Sequence, residues 1–229
     1  VTLPYKRALI VGAGAGISAS VARFLAAEGI EVALASRDVG KLAGLAADIG
    51  ATTFVADAAS PSAVAHLFTE LDAKIGPPDI VIYNASGRQR GPITQLDPEQ
   101  VRTALEVTAF GAFLVVQQAA RRMLPANHGA ILLTGATAGL KGFPLSAPFA
   151  MGKFALRGLA QSAARELGPQ GIHVAHINID GSVRSATRPD TDDGTLDPDG
   201  IAQSYLDLLR QPRSAWTHEL DLRPWSERF

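Results

Sequence analysis

The chain has 229 residues, 47% of them hydrophobic and 19% charged, and its net charge is −1. Such a composition fits a compact folded protein and excludes a disordered one; the charge gives no electrostatic reason to bind nucleic acid or an anionic membrane. Cysteine is absent, so disulfides and thiol chemistry are excluded.

Taken in chain order, the apolar run Ala8 to Val11 reads as a buried strand. It feeds a turn holding Gly12, Gly14 and Gly16, and Ser18 to Glu28 reads as a helix. Strand, glycine turn and helix together suit a diphosphate: glycines let backbone N–H groups approach, and the helix N-terminus adds partial positive charge. The spacing is not G-x-G-x-x-G, because Ile17 stands where the last glycine belongs. It fits G-x-x-x-G-x-(G), with Ser18 in the last place.

Glu31 to Ala35 reads as the second strand, Asp38 to Asp48 as a helix closed by Gly50, and Thr52 to Ala56 as the third strand. Ser60-Pro-Ser62 has the capping residue and early proline of a helix start. Asp79 to Asn84 is a strand, Ser86 to Leu96 a polar loop, and a helical region runs from Asp97 towards Met123. Ala130 to Thr134 is the fifth strand, Ala147 to Leu167 a long helix, and Ile172 to Ile179 the sixth strand. Arg184 to Gly200, rich in Asp, Thr and Pro, reads as a mobile surface loop placed to cover a substrate. Pro198 to Arg210 recovers helical character, and Glu219 to Leu222 is a candidate last strand.

Short strands, apolar on both faces and separated by helices, imply an α/β protein with a parallel sheet covered on both sides. Ligands then bind beyond the C-terminal strand ends, where the strand order reverses. One domain over residues 1–229 is expected. The five histidines are scattered. His173 and His176 sit at odd separation on one strand and point to opposite faces, so no metal site is expected. No run reads as long and apolar enough to span a bilayer, no secretory signal opens the chain, and the missing initiator Met suggests trimming or a disordered start. The expected setting is cytoplasmic, with no membrane or nucleic-acid partner.

Several of these segments, in order and over nearly the whole chain, resemble the short-chain dehydrogenase/reductase family. Gly12 and Gly16 match its glycine loop, with Ser18 replacing the third glycine. Asp57 matches an aspartate that contacts adenine in the family, and Asn84-Ala85-Ser86 resembles its Asn-Ala-Gly. Phe149-Ala-Met-Gly-Lys153 falls where the family has Tyr-x-x-x-Lys, and Asp180-Gly181-Ser-Val-Arg-Ser185 resembles Pro-Gly-x-Val-x-Thr. The resemblance implies a Rossmann-like, doubly wound fold of about seven strands. It also implies a nucleotide site drawing on Gly12, Gly14, Gly16, Ile17, Asp57, Asn84, Ala85, Lys153 and Gly181.

The catalytic positions depart from the family. Its proton-transferring tyrosine is Phe149 here, its serine falls on Ala136 beside Thr137, and its asparagine falls on Thr108. Only Lys153 is kept. Losing a positioned general acid costs roughly two to four powers of ten in rate. A substrate that needs no acid, such as an iminium ion or an enone, escapes much of that loss. Asp180, standing where the family has proline, is a candidate replacement donor or a simple Asp-Gly turn residue. Thr137 and Ser146 are further hydroxyls in reach, both weaker acids than tyrosine.

The end of the second strand bears on the nucleotide. Ala35-Ser36-Arg37 carries no carboxylate, and Arg37 can pair a 2′-phosphate with help from the Ser36 hydroxyl. This favours NADP(H) over NAD(H). Against it stand nearby Asp38, the lack of a basic residue at Ala15, and the ordinary reading of Arg37 as a solvated surface charge. Two functions follow: an NADP(H)-dependent oxidoreductase acting on a small organic substrate without a tyrosine, or an inactive NADP(H)-binding sensor or scaffold. By resemblance, a homodimer or homotetramer forms through the two long helices, and the tail Trp216 to Phe229 packs on the body or on a neighbouring subunit.

Overall fold

The computed structural model describes residues 3–190 and 193–226. Seven parallel strands form one sheet in the order β3-β2-β1-β4-β5-β6-β7. They are β1 Arg7–Val11, β2 Glu31–Ser36, β3 Thr52–Val55, β4 Ile80–Tyr83, β5 Gly129–Thr134, β6 Ile172–Ile179 and β7 Glu219–Leu222. The expected doubly wound α/β sheet is therefore present, and the candidate last strand pairs with β6 from His176 to Ile179.

Strand alternation divides the apolar residues between two cores. Leu9 and Val11 of β1, Val81 and Tyr83 of β4, and Ile131 and Leu133 of β5 face one side. They pack there with helices α3 (Pro61–Lys74), α5 (Gly111–Met123) and α6 (Ala147–Leu167). Ala8 and Ile10, Ile80 and Ile82, and Ala130 and Leu132 face the other side, against α1 (Ile17–Ala27) and α7 (Pro198–Leu209). Each fully buried Leu or Ile contributes roughly 1.5–3 kcal/mol, and both faces are filled this way. The order reverses where β1 lies between β2 and β4, so the loops after β1 and β4 part there and leave a crevice.

Local differences from the sequence reading have local causes. The helix expected over Asp38 to Asp48 is split: Val39–Leu42 is a tight 3₁₀ turn capped by Asp38, and α2 covers only Ala43–Ile49. Gly40 and Gly44 weaken a continuous helix there. The helical region towards Met123 is three segments: α4 (Pro98–Leu105), a π-helical turn at Glu106–Phe110, then α5. Together with the turn that follows, Pro98–Ala126 is long and apolar enough to cross a membrane by length and composition, contrary to the expectation that no run is. Half of its most apolar window is buried inside the protein, as a core helix requires. The loop after β6 ends at Asp197, before the expected boundary at Gly200, because Asp197 caps α7 and Pro198 opens it. Residues 191–192 of that loop, and Phe229 of the aromatic tail, lie outside the described residues.

Candidate active site

The crevice holds two cavities that share Asn84 and Ser86 as walls. The smaller, about 290 Å³, opens between the ends of β1, β2 and β3, and Gly12, Ser36, Arg37, Asp57 and Ala85 line it. Gly12 cannot carry a side chain. Its φ is +79°, and an added Cβ would lie 2.3 Å from the Ala85 nitrogen. Gly14 and Gly16 line neither cavity, but a Cβ at either would meet nothing within 4 Å. The turn is thus open on the side a ligand approaches. Gly16 ends it at φ +88°, and α1 starts with no side-chain cap and no acidic residue in its first turn. Its free N–H groups and positive dipole end suit an anion.

Ser18 does not project into either cavity. It is buried, donates weakly to the Gly12 carbonyl at 3.4 Å and accepts from Asn84 Nδ2 at 2.8 Å, tying the glycine turn to the loop after β4. Asp57 lines the smaller cavity while one carboxylate oxygen accepts from Ala59 N at 3.0 Å, so it is also a turn residue. Arg37 is exposed and has no ion pair among the described residues. Its neighbour Asp38 is held by Lys41 at 3.1 Å and by Gly40 N at 3.1 Å.

The larger cavity, about 540 Å³, is bounded by Ile17, Thr137, Phe149, Lys153 and Gly181 among the expected residues. Phe149 and Lys153 are four apart on α6 and therefore share a face. Lys153 is 3% exposed, its Nζ donates to the Thr134 carbonyl at 2.7 Å, and it lies 5.8 Å from the centre of the Phe149 ring. Thr134 is fixed in turn by a 2.7 Å bond between its hydroxyl and that of Tyr205. Burial, reinforced by the charge of Arg88, pushes Lys153 down to about 7. Ser146 also lines this cavity.

Asp180 is placed differently. Its carboxylate lies 3.6 Å from the Arg223 guanidinium, its backbone N–H pairs with the Leu222 carbonyl, and it is not among the residues lining either cavity. Thr108 sits wholly buried in the π-helical turn, with its Oγ1 accepting from Gly87 N at 2.9 Å. An insertion of this kind within a helix often marks a functional position. Tyr83, on the opposite side of β4 from the crevice as alternation requires, donates to the Val107 carbonyl of the same turn.

Sequence reasoning passed over three arginines. Arg88, Arg90 and Arg188 line the larger cavity, and the Arg88 guanidinium lies 4.4 Å over the Phe149 ring. Two basic residues within four positions of Asn84-Ala85-Ser86 were the available signal for Arg88 and Arg90. Arg188 was hidden in a loop whose path the residues do not dictate.

Residues 6–193 match the family model described as short chain dehydrogenase. An uncharacterised oxidoreductase of Staphylococcus saprophyticus is 29% identical over 98% of this chain and 99% of its own length. A short-chain dehydrogenase structure from Rhodopseudomonas palustris superposes with a TM-score of 0.84 at 35% identity, covering 96% of this chain and 99% of that one. A metagenomic short-chain oxidoreductase solved in complex with NADP gives 0.87 at 26% identity, over 99% and 100%. The chain belongs to the short-chain dehydrogenase family. It is an oxidoreductase of that type, which works with a nicotinamide nucleotide.

Proposed function

We propose that this protein is an NADP(H)-dependent reductase of a small organic carbonyl compound in which Lys153, in place of a tyrosine, holds the proton the product receives. The observation that carries this reading is Lys153 itself: buried in the cavity wall, hydrogen-bonded to the Thr134 carbonyl, and brought near neutrality by its surroundings. A lysine tuned to this range is a competent general acid at neutral pH. Phe149 beside it has no proton to give.

The residues present fit the nucleotide. The open glycine turn and the uncapped start of α1 suit a diphosphate, and Asp57 and Ala85 line the recess beyond the turn. Arg37, without an ion pair among the described residues and next to Ser36, suits a 2′-phosphate, while Asp38 is occupied by Lys41 and Gly40. The NADP complex of the metagenomic relative agrees with that choice. When bound, the nicotinamide supplies the hydride. As the substrate carbon gains it, the carbonyl oxygen takes up the electron pair of its double bond. The Lys153 ammonium gives one proton to that oxygen, becomes a neutral amine, and recovers a proton from water. Ser146 and Thr137 offer hydroxyls to orient the same oxygen.

Phe110, Phe113, Met151 and Phe154 are large apolar residues exposed on the π-helical turn, α5 and α6. They support assembly into a homodimer or homotetramer along these helices.

Calorimetric titration with NADPH, with NADH as control, tests the nucleotide; tighter binding of NADH overturns the assignment of Arg37. The pH dependence of NADPH-driven reduction tests Lys153. Only the protonated amine can donate, so the rate should fall as pH rises through about 7. Lys153→Met should cost about 10²- to 10⁴-fold in rate and abolish that dependence. A wild-type rate that stays flat through this range overturns the role.

A further inference from the structure

Three cations face the larger cavity from two loops, and no carboxylate lines it among the described residues. Arg88 and Arg90 come from the segment after β4, and Arg188 from the loop after β6. Two other arginines of that region have acidic partners: Arg184 pairs with Asp197, and Arg223 lies 3.6 Å from Asp180. Arg88, Arg90 and Arg188 make no ion pair among the described residues.

Like charges gathered without a counter-charge repel one another, so the backbone must hold them in place, and it does. Gly87 N donates to Thr108 Oγ1 at 2.9 Å, and Gly91 N donates to the carbonyl of Leu145 at 3.0 Å. These bonds pin the segment on both sides of Arg88 and Arg90. Leu145 adopts φ +63°, a conformation disfavoured for leucine. Ser185 and Arg188 exchange backbone bonds at 2.9 and 3.0 Å, which fixes the third arginine. Surrounding protein, with Arg188 and Arg90 adding their charge, holds Arg88 below the ordinary arginine range. A guanidinium in that setting gains most from an incoming oxyanion, which it can grip with two parallel N–H bonds.

Lys153 Nζ lies 5.8 Å from the centre of the Phe149 ring, and the Arg88 guanidinium is stacked 4.4 Å over it; Phe143 is a further aromatic wall. We propose that Arg88, Arg90 and Arg188 form a subsite for an oxyanion carried by the substrate, so that the enzyme reduces an acid whose reactive carbon sits beside Phe149 and Lys153. This rests on the reductase reading for the word substrate, but not for the anion site. The same arginines could instead serve the nucleotide's own diphosphate, and the test separates the two.

Protein loaded with NADPH, and protein without nucleotide, is titrated calorimetrically with carbonyl acids and their neutral methyl esters. The pairs are 4-formylbenzoate and phenylpyruvate with their esters, and 4-formylphenyl phosphate serves as a phosphate arm. At least one acid should bind tenfold or more tightly than its neutral counterpart. Arg88→Gln/Arg188→Gln should reduce that preference to about twofold or less and leave NADPH affinity within about twofold. The relative affinity of carboxylate and phosphate then tells which oxyanion the site takes. If no acid of the panel is preferred over its ester, the proposal is overturned. It is equally overturned if the double variant loses NADPH affinity tenfold, because the arginines then hold the nucleotide. Preference for an acid in nucleotide-free protein that fails to bind NADPH would sink the reductase reading and leave the anion site standing.

Discussion

The two cavities of the crevice are built from the same sheet, yet they are specified in different ways. Around the smaller cavity, geometry leaves little freedom. Gly12 has backbone within 2.3 Å of any Cβ, Gly16 needs a left-handed turn, and α1 offers an uncapped N-terminus. Ser18 sits buried beneath the turn as a partner for Asn84. Around the larger cavity, charged and aromatic side chains set the character of the wall. Ala136, Phe149 and Lys153 line it together with Arg88, Arg90 and Arg188, and Thr108 lies buried in the π-helical turn. The contrast has a physical basis. A diphosphate is gripped by backbone N–H groups whose positions are set by chain geometry, whereas proton transfer needs one correctly placed side-chain atom, the role proposed for Lys153. Nucleotide binding is therefore tied to the fold, and chemistry is tied to single side chains.

The largest effect should come from breaking the half fixed by backbone. Gly12→Ala puts a Cβ against Ala85 and forces alanine to φ +79°, a left-handed conformation that alone costs roughly 1–2 kcal/mol. NADPH affinity measured by calorimetry should fall more than about 100-fold, equivalent to about 2.7 kcal/mol. The carboxylate preference of the larger cavity should persist in nucleotide-free protein. A Gly12→Ala variant that binds NADPH normally would show that the turn does not hold the diphosphate. Arg37→Ala sharpens the comparison at a smaller scale, because it removes a side chain and leaves the backbone cradle intact. NADPH affinity should drop about tenfold, near 1.4 kcal/mol, with NADH affinity unchanged. Equal losses for both nucleotides would mean that Arg37 does not read the 2′-phosphate.

Legibility in the sequence follows the same division. Short strands, apolar on both faces and separated by helices, announced the parallel sheet, and Gly12, Asp57, Asn84 and Lys153 came out lining the crevice. These are short-range consequences of strand, turn and helix. Asp180 shows where such reasoning stops. Its chain position beside Gly181 suggested a cavity residue, but Arg223, 43 positions later, draws its carboxylate away. Arg188 escaped for the converse reason, since only the folded loop, closed by the Ser185 bonds, brings it opposite Arg88. Lys153 was visible as a residue, but its proton affinity was not. That depends on burial and on Arg88, both properties of the assembled cavity.

Thr108 links the two halves and yields the smallest and most specific effect. It is fully buried, and its Oγ1 is the acceptor for Gly87 N at the root of the segment bearing Arg88 and Arg90. Gly87 cannot retreat, because an added Cβ there already lies 2.6 Å from the Ala104 Cα. Thr108→Val keeps the shape and replaces the acceptor with a methyl group. The Gly87 N–H is then left without a partner, at a cost of about 1–3 kcal/mol. For a chain of this length each kcal/mol lowers Tm by roughly 2–4 °C. Thr108→Ser keeps the hydroxyl and should retain most of the stability. If the hydroxyl serves to position the arginines, Thr108→Val should also weaken the preference for carboxylate over ester severalfold, with NADPH affinity unchanged. Thr108→Ser should restore that preference. Matching losses of preference in the two variants would show that packing in the π-helical turn, not the bond to Gly87, sets the arginine loop.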